Sequence, residues 1–381
     1  MPALQSKANP NGKRSLTHKL PAICDFSITN VCNAACDFCG FARDKGLIGS
    51  AAYADADRFS AALPILSRRG IRYVTLQGGE PLVHPEIIRL VSEIAATGMQ
   101  CALITNGWFL PRYIRSLAAA GLGRLEVSID SADLAAHEGN RGLPGLGRRI
   151  AEGISKARAF GLPVVASVTV SRLLQYDRLP ETLERLGFDA VAFSYPRREP
   201  FGSTSLVYST TSQLVDLGRD ELLAALAAIA DMKKRFPVFN PKESLSEVAR
   251  YVRGEAQSIP CIAGFKYFYL DWNLDIWRCE TWDKPLGSVF DFDRIPDQRD
   301  HCNACMMACY RNASMLMHAG IAAADALEAL AKADVGATVR AFFRSSVMRS
   351  ISAVVEEMPR LTRLARRRRR GGAISGFFGS T

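Results

Sequence analysis

Three cysteines stand at Cys32-x3-Cys36-x2-Cys39, directly after the apolar run 22–28. Thiolates this close together can hold one cubane iron–sulfur cluster and still leave its fourth iron without a protein ligand. A metal position left open is a reactive one, by the logic that separates closed structural zinc sites from open catalytic ones. Zinc is the plainer use of clustered thiols, but it takes four ligands, usually as paired Cys/His couples. His18 and His84 are not placed at such spacing, and Asn33 and Asp37 are poor substitutes. Further on, Gly78-Gly79-Glu80-Pro81 follows the apolar run 73–76. A turn into a helix would account for Pro81 and Pro85. Glycines there also let backbone approach a bound group closely.

The cysteine triplet, Phe38 just before its last member, and the Gly78–Pro81 motif together resemble the radical S-adenosylmethionine (radical SAM) superfamily. The resemblance implies a [4Fe–4S] cluster on Cys32, Cys36 and Cys39 whose open iron chelates the amino and carboxyl groups of SAM. It implies that Gly78 and Gly79 approach the SAM ammonium group, with Glu80 balancing charge nearby. Ser128 and Asp130, at the end of the fourth expected strand, resemble ribose contacts, and Asn106, after the third, is a further candidate. Short polar residues after strands also serve simply as turn formers. Where the family has a glycine-rich motif at the fifth strand, this chain has Ser171-Arg172, so adenine contacts stay unassigned there.

Five more cysteines follow as Cys261-x17-Cys279, then Cys302-x2-Cys305-x3-Cys309. This group resembles the twitch and SPASM extensions of radical SAM enzymes, which bind auxiliary clusters, and Gly287-Ser288-Val289 resembles their glycine turn. The resemblance implies one auxiliary [4Fe–4S] cluster on Cys261, Cys279, Cys302 and Cys305. Cys309 is left to replace a ligand, donate hydrogen, or be buried. A zinc knob is the plain alternative. Cys24 and Cys101 sit within expected strands, where free cysteine behaves as a small hydrophobe.

These residues need elements to hold them. Short β-rich runs at 22–28, 73–76, 101–105, 124–129, 164–170 and 190–194 alternate with amphipathic segments at 57–69, 85–97, 111–120, 147–160 and 179–186. Such alternation gives βα units and a parallel sheet. Six units fit the α/β, partial (β/α)6 barrel of the resemblance, with its chemistry at the carboxyl ends of the strands. Four regions are expected: a polar extension at 1–20, a core at 21–237, an auxiliary iron–sulfur region at 238–318, and a helical segment with an arginine-rich tail at 319–381. The auxiliary region should contain a hairpin, 266–271 and 275–279, turning at 272–274. A long helix is expected at 219–236, loop at 197–211, and disorder after 370.

At 381 residues, 48% apolar and 23% charged, the composition is that of a globular protein. The first twenty residues lack an apolar signal region, and no run reaches the roughly 18 apolar residues of a spanning helix. A cytoplasmic location is therefore expected, peripheral at the inner face of the membrane if the tail meets lipid. Of the net charge of +10, seven arginines lie between Arg360 and Thr381 without an acid, which leaves +3 elsewhere. Basicity confined to the tail does not suggest a nucleic-acid partner. It suits an anionic membrane surface or a solvated charge run, and the apolar spacing from Phe342 to Met358 fits either lipid contact or packing on the body. Tyr195-Pro196-Arg197-Arg198 could meet a carboxylate or phosphate.

The expected chemistry is reductive cleavage of SAM and radical modification of an unactivated carbon. An auxiliary cluster would make it a net oxidation or a bond formation. The electron would come from a donor such as flavodoxin or ferredoxin. Cys302–Cys309 also resembles the C-terminal cysteine segment of the adenosylhopene-forming radical SAM enzyme, which raises a membrane lipid as substrate. A peptide and a small molecule are the other substrates in view, and no leader-binding unit is apparent before the barrel. No catalytic side chain is assigned. The alternative of another class is a non-catalytic metal-binding scaffold, which would have no use for the Gly78–Pro81 turn.

Overall fold

The computed structural model describes residues 16–43, 49–196, 212–334 and 344–375, together with Gly336 and Thr338. Arg197, Arg198, Phe342, Phe343 and the loop expected at 197–211 lie outside the described residues.

Six parallel strands make the frame: β1 (Ala22–Thr29), β2 (Ile71–Gly78), β3 (Gln100–Thr105), β4 (Arg124–Ser128), β5 (Val164–Thr169) and β6 (Ala190–Ser194). Each pairs with the next in chain order. Their alternate residues, among them Cys24, Phe26, Val74, Leu103, Val127 and Val168, are fully buried in one hydrophobic core. A one-turn α1 (Gly40–Arg43) follows the cysteines. The crossovers carry α2 (Ala56–Arg68), α3 (Ile87–Ala96), α4 (Leu110–Ala119), α5 (Leu134–Arg141), α6 (Leu146–Ala159) and α7 (Leu179–Leu186). Local chemistry sets their ends. Asp55 caps α2 by accepting from the Arg58 amide at 2.9 Å, and Gly187 ends α7 in the left-handed region at φ 89°.

The hairpin β7 (Tyr267–Leu270) and β8 (Asp275–Trp277) does not stand apart. β7 pairs parallel to β1, from Ile23 opposite Tyr267 to Phe26 opposite Leu270, so β1 has a partner on each side. With β9 (Gly287–Ser288) it completes a nine-stranded sheet in the order β6-β5-β4-β3-β2-β1-β7-β8-β9, open at both ends. Asp271 shapes the turn: its Oδ1 accepts from the Asn273 and Asp275 amides at 2.9 and 3.0 Å, and its Oδ2 from Trp277 Nε1 at 2.8 Å.

Four further helices follow among the described residues: α8 (Arg219–Met232), α9 (Lys242–Val252), α10 (Ala308–Ala331) and α11 (Ser345–Ser375). The sequence reading lacked α5 and α9. It also divided the chain at 318/319, which falls inside α10, and placed disorder from 371, whereas α11 runs on to Ser375. Extending a formed helix requires no new nucleus, which carries it past Gly371 and Gly372.

Candidate active site

The strand faces turned away from the hydrophobic core are polar. Asp25 and Ser27 of β1, Gln77 of β2, Glu126 and Ser128 of β4 and Ser167 of β5 line a cavity of about 660 Å³. Cys32, Cys36, Phe38 and Cys39 line the same cavity, as do Gly78, Gly79, Asn106 and, from the far side, Cys309 and Glu280. Residues as far apart in the chain as Asp25 and Cys309 therefore share one chamber.

Helix α5 holds the cysteine loop. The Ala35 amide donates to the Arg141 carbonyl at 2.9 Å, and the Asp37 amide to Asn140 Oδ1 at 3.3 Å. Burial pushes the Cys32, Cys36 and Cys39 thiols up, Cys32 to about 12, while Arg141 pulls Cys36 back down. Asn33, within the loop, accepts from Asn106 Nδ2 at 2.8 Å. Its own Nδ2 is buried with no hydrogen-bond partner.

The Gly78–Pro81 segment packs directly against that loop. The Gly79 and Glu80 amides donate to the Thr29 and Val31 carbonyls, each at 2.8 Å. A Cβ on Gly78 would meet the Thr29 oxygen at 2.3 Å, and one on Gly79 the Val31 oxygen at 2.1 Å. The glycines thus serve a backbone-to-backbone contact besides facing the cavity. Glu80 is fully buried and clamps two loops: Oε1 accepts from Thr105 Oγ1 at 2.6 Å and the Leu82 amide at 3.0 Å, Oε2 from the Asn106 amide at 2.7 Å. Burial raises its pKa from the usual glutamate value despite these bonds.

Ser128 is half-buried in the cavity wall, but Asp130 turns elsewhere. Arg141 grips it bidentately at 2.8 and 2.6 Å, Asn140 Nδ2 donates to it at 2.8 Å, and His137 Nδ1 lies 3.4 Å away. Burial alone would raise Asp130, yet Arg141 and His137 outweigh it and hold the carboxyl below its usual range. Arg141, which lines the cavity, was missed in the sequence. Its signals were Asp133, which caps α5 at 2.9 Å, and the left-handed Gly142 that ends it.

At the far wall, Tyr267 donates to Asp25 Oδ2 at 2.7 Å and Gln77 donates to Glu280. Burial raises both carboxyls, and the charge of Asp25 raises Glu280 further. Behind them, Cys279, Cys261, Cys305 and Cys309 pack in one small apolar cluster with Tyr267 and Tyr310, and the Cys261 amide donates to the Cys302 carbonyl at 3.3 Å. Burial drives the Cys309 thiol well up, reinforced by Glu280 and Asp25.

Residues 26–186 match the family model described as the radical SAM superfamily. They form a radical SAM domain. A probable GTP 3′,8-cyclase of Pyrobaculum aerophilum is 31% identical over 154 residues, covering 40% of this chain and 49% of that protein. An AdoMet-dependent heme synthase of Methanosarcina barkeri is 31% identical over 176 residues, covering 45% and 49%. The chain thus spans about half the length of the curated relatives it matches. In fold it is similar to Streptococcus suis SuiB bound to its precursor peptide SuiA, with a TM-score of 0.54 at 14% identity, covering 75% of this chain and 66% of SuiB.

Radical SAM enzymes use a [4Fe–4S] cluster and SAM, and the domain's residues fit both. Three thiols on one loop face a chamber, and the buried Asn33 Nδ2 has a hydrogen to give. Among the described residues no three His, Cys, Asp or Glu side chains are grouped to hold a single metal ion. A cubane binds each cysteine through a different iron, so its ligands need not meet at one point.

Proposed function

We propose that this chain cleaves SAM reductively at Cys32, Cys36 and Cys39 and modifies an unactivated carbon of a substrate held in the chamber. The outcome is a net oxidation or bond formation aided by a second cluster at Cys261, Cys279, Cys302 and Cys305. The observation that carries this reading is the single cavity lined by the cysteine triplet on one side and Cys309 on the other. Cys32, Cys36 and Cys39 would hold the cluster, which when bound and reduced would supply the electron for reductive cleavage of SAM.

The chain's own residues do the rest. Arg141 and Asn140 fix the cysteine loop, and Asp130 fixes Arg141. Gly78, Gly79, Asn106 and Ser128 offer SAM a polar wall. Asp25, Tyr267, Gln77 and Glu280 form a second polar pole, suited to a hydroxyl or amino group of the substrate and able to hold a proton there. Phe38, Met307 and Met317 keep water away.

A chamber of about 660 Å³ lies within the small-molecule range of about 300–1,000 Å³ and must hold SAM too. This favours a small substrate, or one end of a larger one, over an enclosed peptide. The names of the two curated relatives, a GTP cyclase and a heme synthase, agree with a small substrate.

Anaerobically reconstituted protein should carry about eight irons per chain, four for each cubane, and form 5′-deoxyadenosine when reduced with SAM. The Cys32→Ala/Cys36→Ala/Cys39→Ala variant should drop to about four irons and lose that activity. Undiminished 5′-deoxyadenosine from this variant would refute the assignment. About four irons and one zinc in the parent protein would replace the second cluster with a zinc knob.

A further inference from the structure

Helix α11 buries one face of small and polar residues and leaves an apolar one exposed. Ser346, Val347, Ser350, Ala353 and Glu357 are buried, the first four without charge. Ser350 donates to the Met315 carbonyl of α10 at 2.6 Å, and His318 of α10 meets Ser346 at 3.0 Å. That face seats the helix on the body. On another side Met348, Ile351, Val355 and Met358 are 64%, 43%, 66% and 53% exposed. At 3.6 residues per turn these four fall within one stripe roughly 80° wide.

The charges flanking the stripe are distributed unevenly. The acids are tied to the body through Lys233, Glu356 at 2.9 Å and Glu357 at 3.4 Å, and Glu357 also pairs with Arg360 of the same helix at 2.7 Å. Arg349 is likewise held, by Glu243 at 2.6 Å. Beyond Met358 come Arg360, Arg363 and Arg366 to Arg370, with no acid to the last residue. Exposed aliphatic and thioether side chains therefore run along one helix toward a sequence block of five consecutive arginines, Arg366 to Arg370, with no acid among or after them. No helix among the described residues is long and apolar enough to cross a membrane.

We propose that α11 docks on an anionic lipid surface, lying in its plane with Met348, Ile351, Val355 and Met358 inserted and the arginine block on the headgroups. Leu361, 48% exposed, lies at the rim of the active-site chamber and is part of its lining. Docking through α11 thus brings the chamber's rim to the headgroup level. A second copy of the chain is the other occupant such a stripe admits, but a partner with the same arginine block would be repelled.

The inference does not depend on the radical chemistry, because vesicle binding requires no cluster. Full-length protein is sedimented with vesicles of phosphatidylcholine and phosphatidylglycerol, and with phosphatidylcholine alone. Binding is expected to the anionic vesicles only, and to weaken at about 1 M salt, where the Debye length falls to about 3 Å. Val355→Glu/Met358→Glu, on exposed positions, should lower that binding by about tenfold or more. Gln substitution of Arg366 to Arg370 should lower it as well, and both variants should keep SAM cleavage. Absent binding, equal binding to neutral vesicles, or undiminished binding by the Glu variant each overturns the proposal. So does a dimer in sedimentation velocity that the Glu variant makes monomeric, which would assign the stripe to self-association.

Discussion

At the residue scale the chamber separates carboxyls by what faces them. Asp130 meets Arg141 and stays ionised. For Asp25 burial comes first and raises it, with Glu126 pushing the same way, while the Tyr267 and Thr75 hydroxyls and Arg124 oppose. A raised carboxyl keeps its proton in the folded chain above the pH where the unfolded chain has lost it. The stability it contributes is complete below the ordinary carboxylate range and is lost as pH rises through the folded value. Asp25→Asn keeps an acceptor for Tyr267 and removes that titration. The variant should lose less stability than the parent between about pH 4 and 6, the interval from the ordinary aspartate value to the raised one of about 6, one pKa unit being worth about 1.4 kcal/mol. Equal slopes in urea melts across that range would show that Asp25 ionises at its ordinary pH. These positions were open to sequence reading: Asp25 and Ser27, or Glu126 and Ser128, alternate with buried apolar neighbours. Period two inside a parallel strand marks a face that is not core.

At the scale of elements, the strand positions were legible within one or two residues because β-branched and apolar runs are bounded by glycine, as at Gly70 and Gly187. Helix α5 was not, since LAAHEGNR carries little apolar periodicity and forms because Asp133 caps it and the cysteine loop packs on it. The glycine motif shows the same limit: its spacing was visible, but its contact with Thr29 and Val31 joins separate loops. Two alanine substitutions separate these effects. Gly79→Ala places Cβ 2.1 Å from the Val31 carbonyl oxygen, and backbone cannot rotate away, so about 3 kcal/mol of stability should be lost. Iron uptake at the triplet should fall with it. Gly139→Ala, within α5 and with nothing near its Cβ, should instead gain about 0.5–1 kcal/mol. Denaturant midpoints and iron content decide. A tolerated Gly79→Ala would mean that the two loops part easily and that the motif acts only through SAM.

At the scale of the whole molecule, the pairing of β7 with β1 decides how the chain behaves as a unit. Local sequence pattern announces a hairpin but not its neighbour, because β1 and β7 are far apart in the chain and parallel pairing has no turn to mark it. The seam is reinforced away from the sheet: Arg68 of α2 bonds Asp293 at 2.8 Å, and Arg69 bonds Asp297 at 3.0 Å while stacking over Phe292 at 4.5 Å. Buried Lys266 donates to the Leu20 carbonyl at 3.1 Å. The barrel and the auxiliary region should therefore unfold together, although their cysteine groups suggest separate modules. Three of the four tryptophans, Trp272, Trp277 and Trp282, lie in or beside the hairpin, and most helix lies elsewhere. In a Trp108→Phe background, fluorescence reports the hairpin and far-ultraviolet circular dichroism the rest. Cluster-free protein titrated with urea should give coincident transitions with one midpoint. A fluorescence transition well below the dichroism transition would mean that β7 to β9 peel from β1 first. The auxiliary region would then be an appendage on the radical SAM domain, not part of its sheet in any energetic sense.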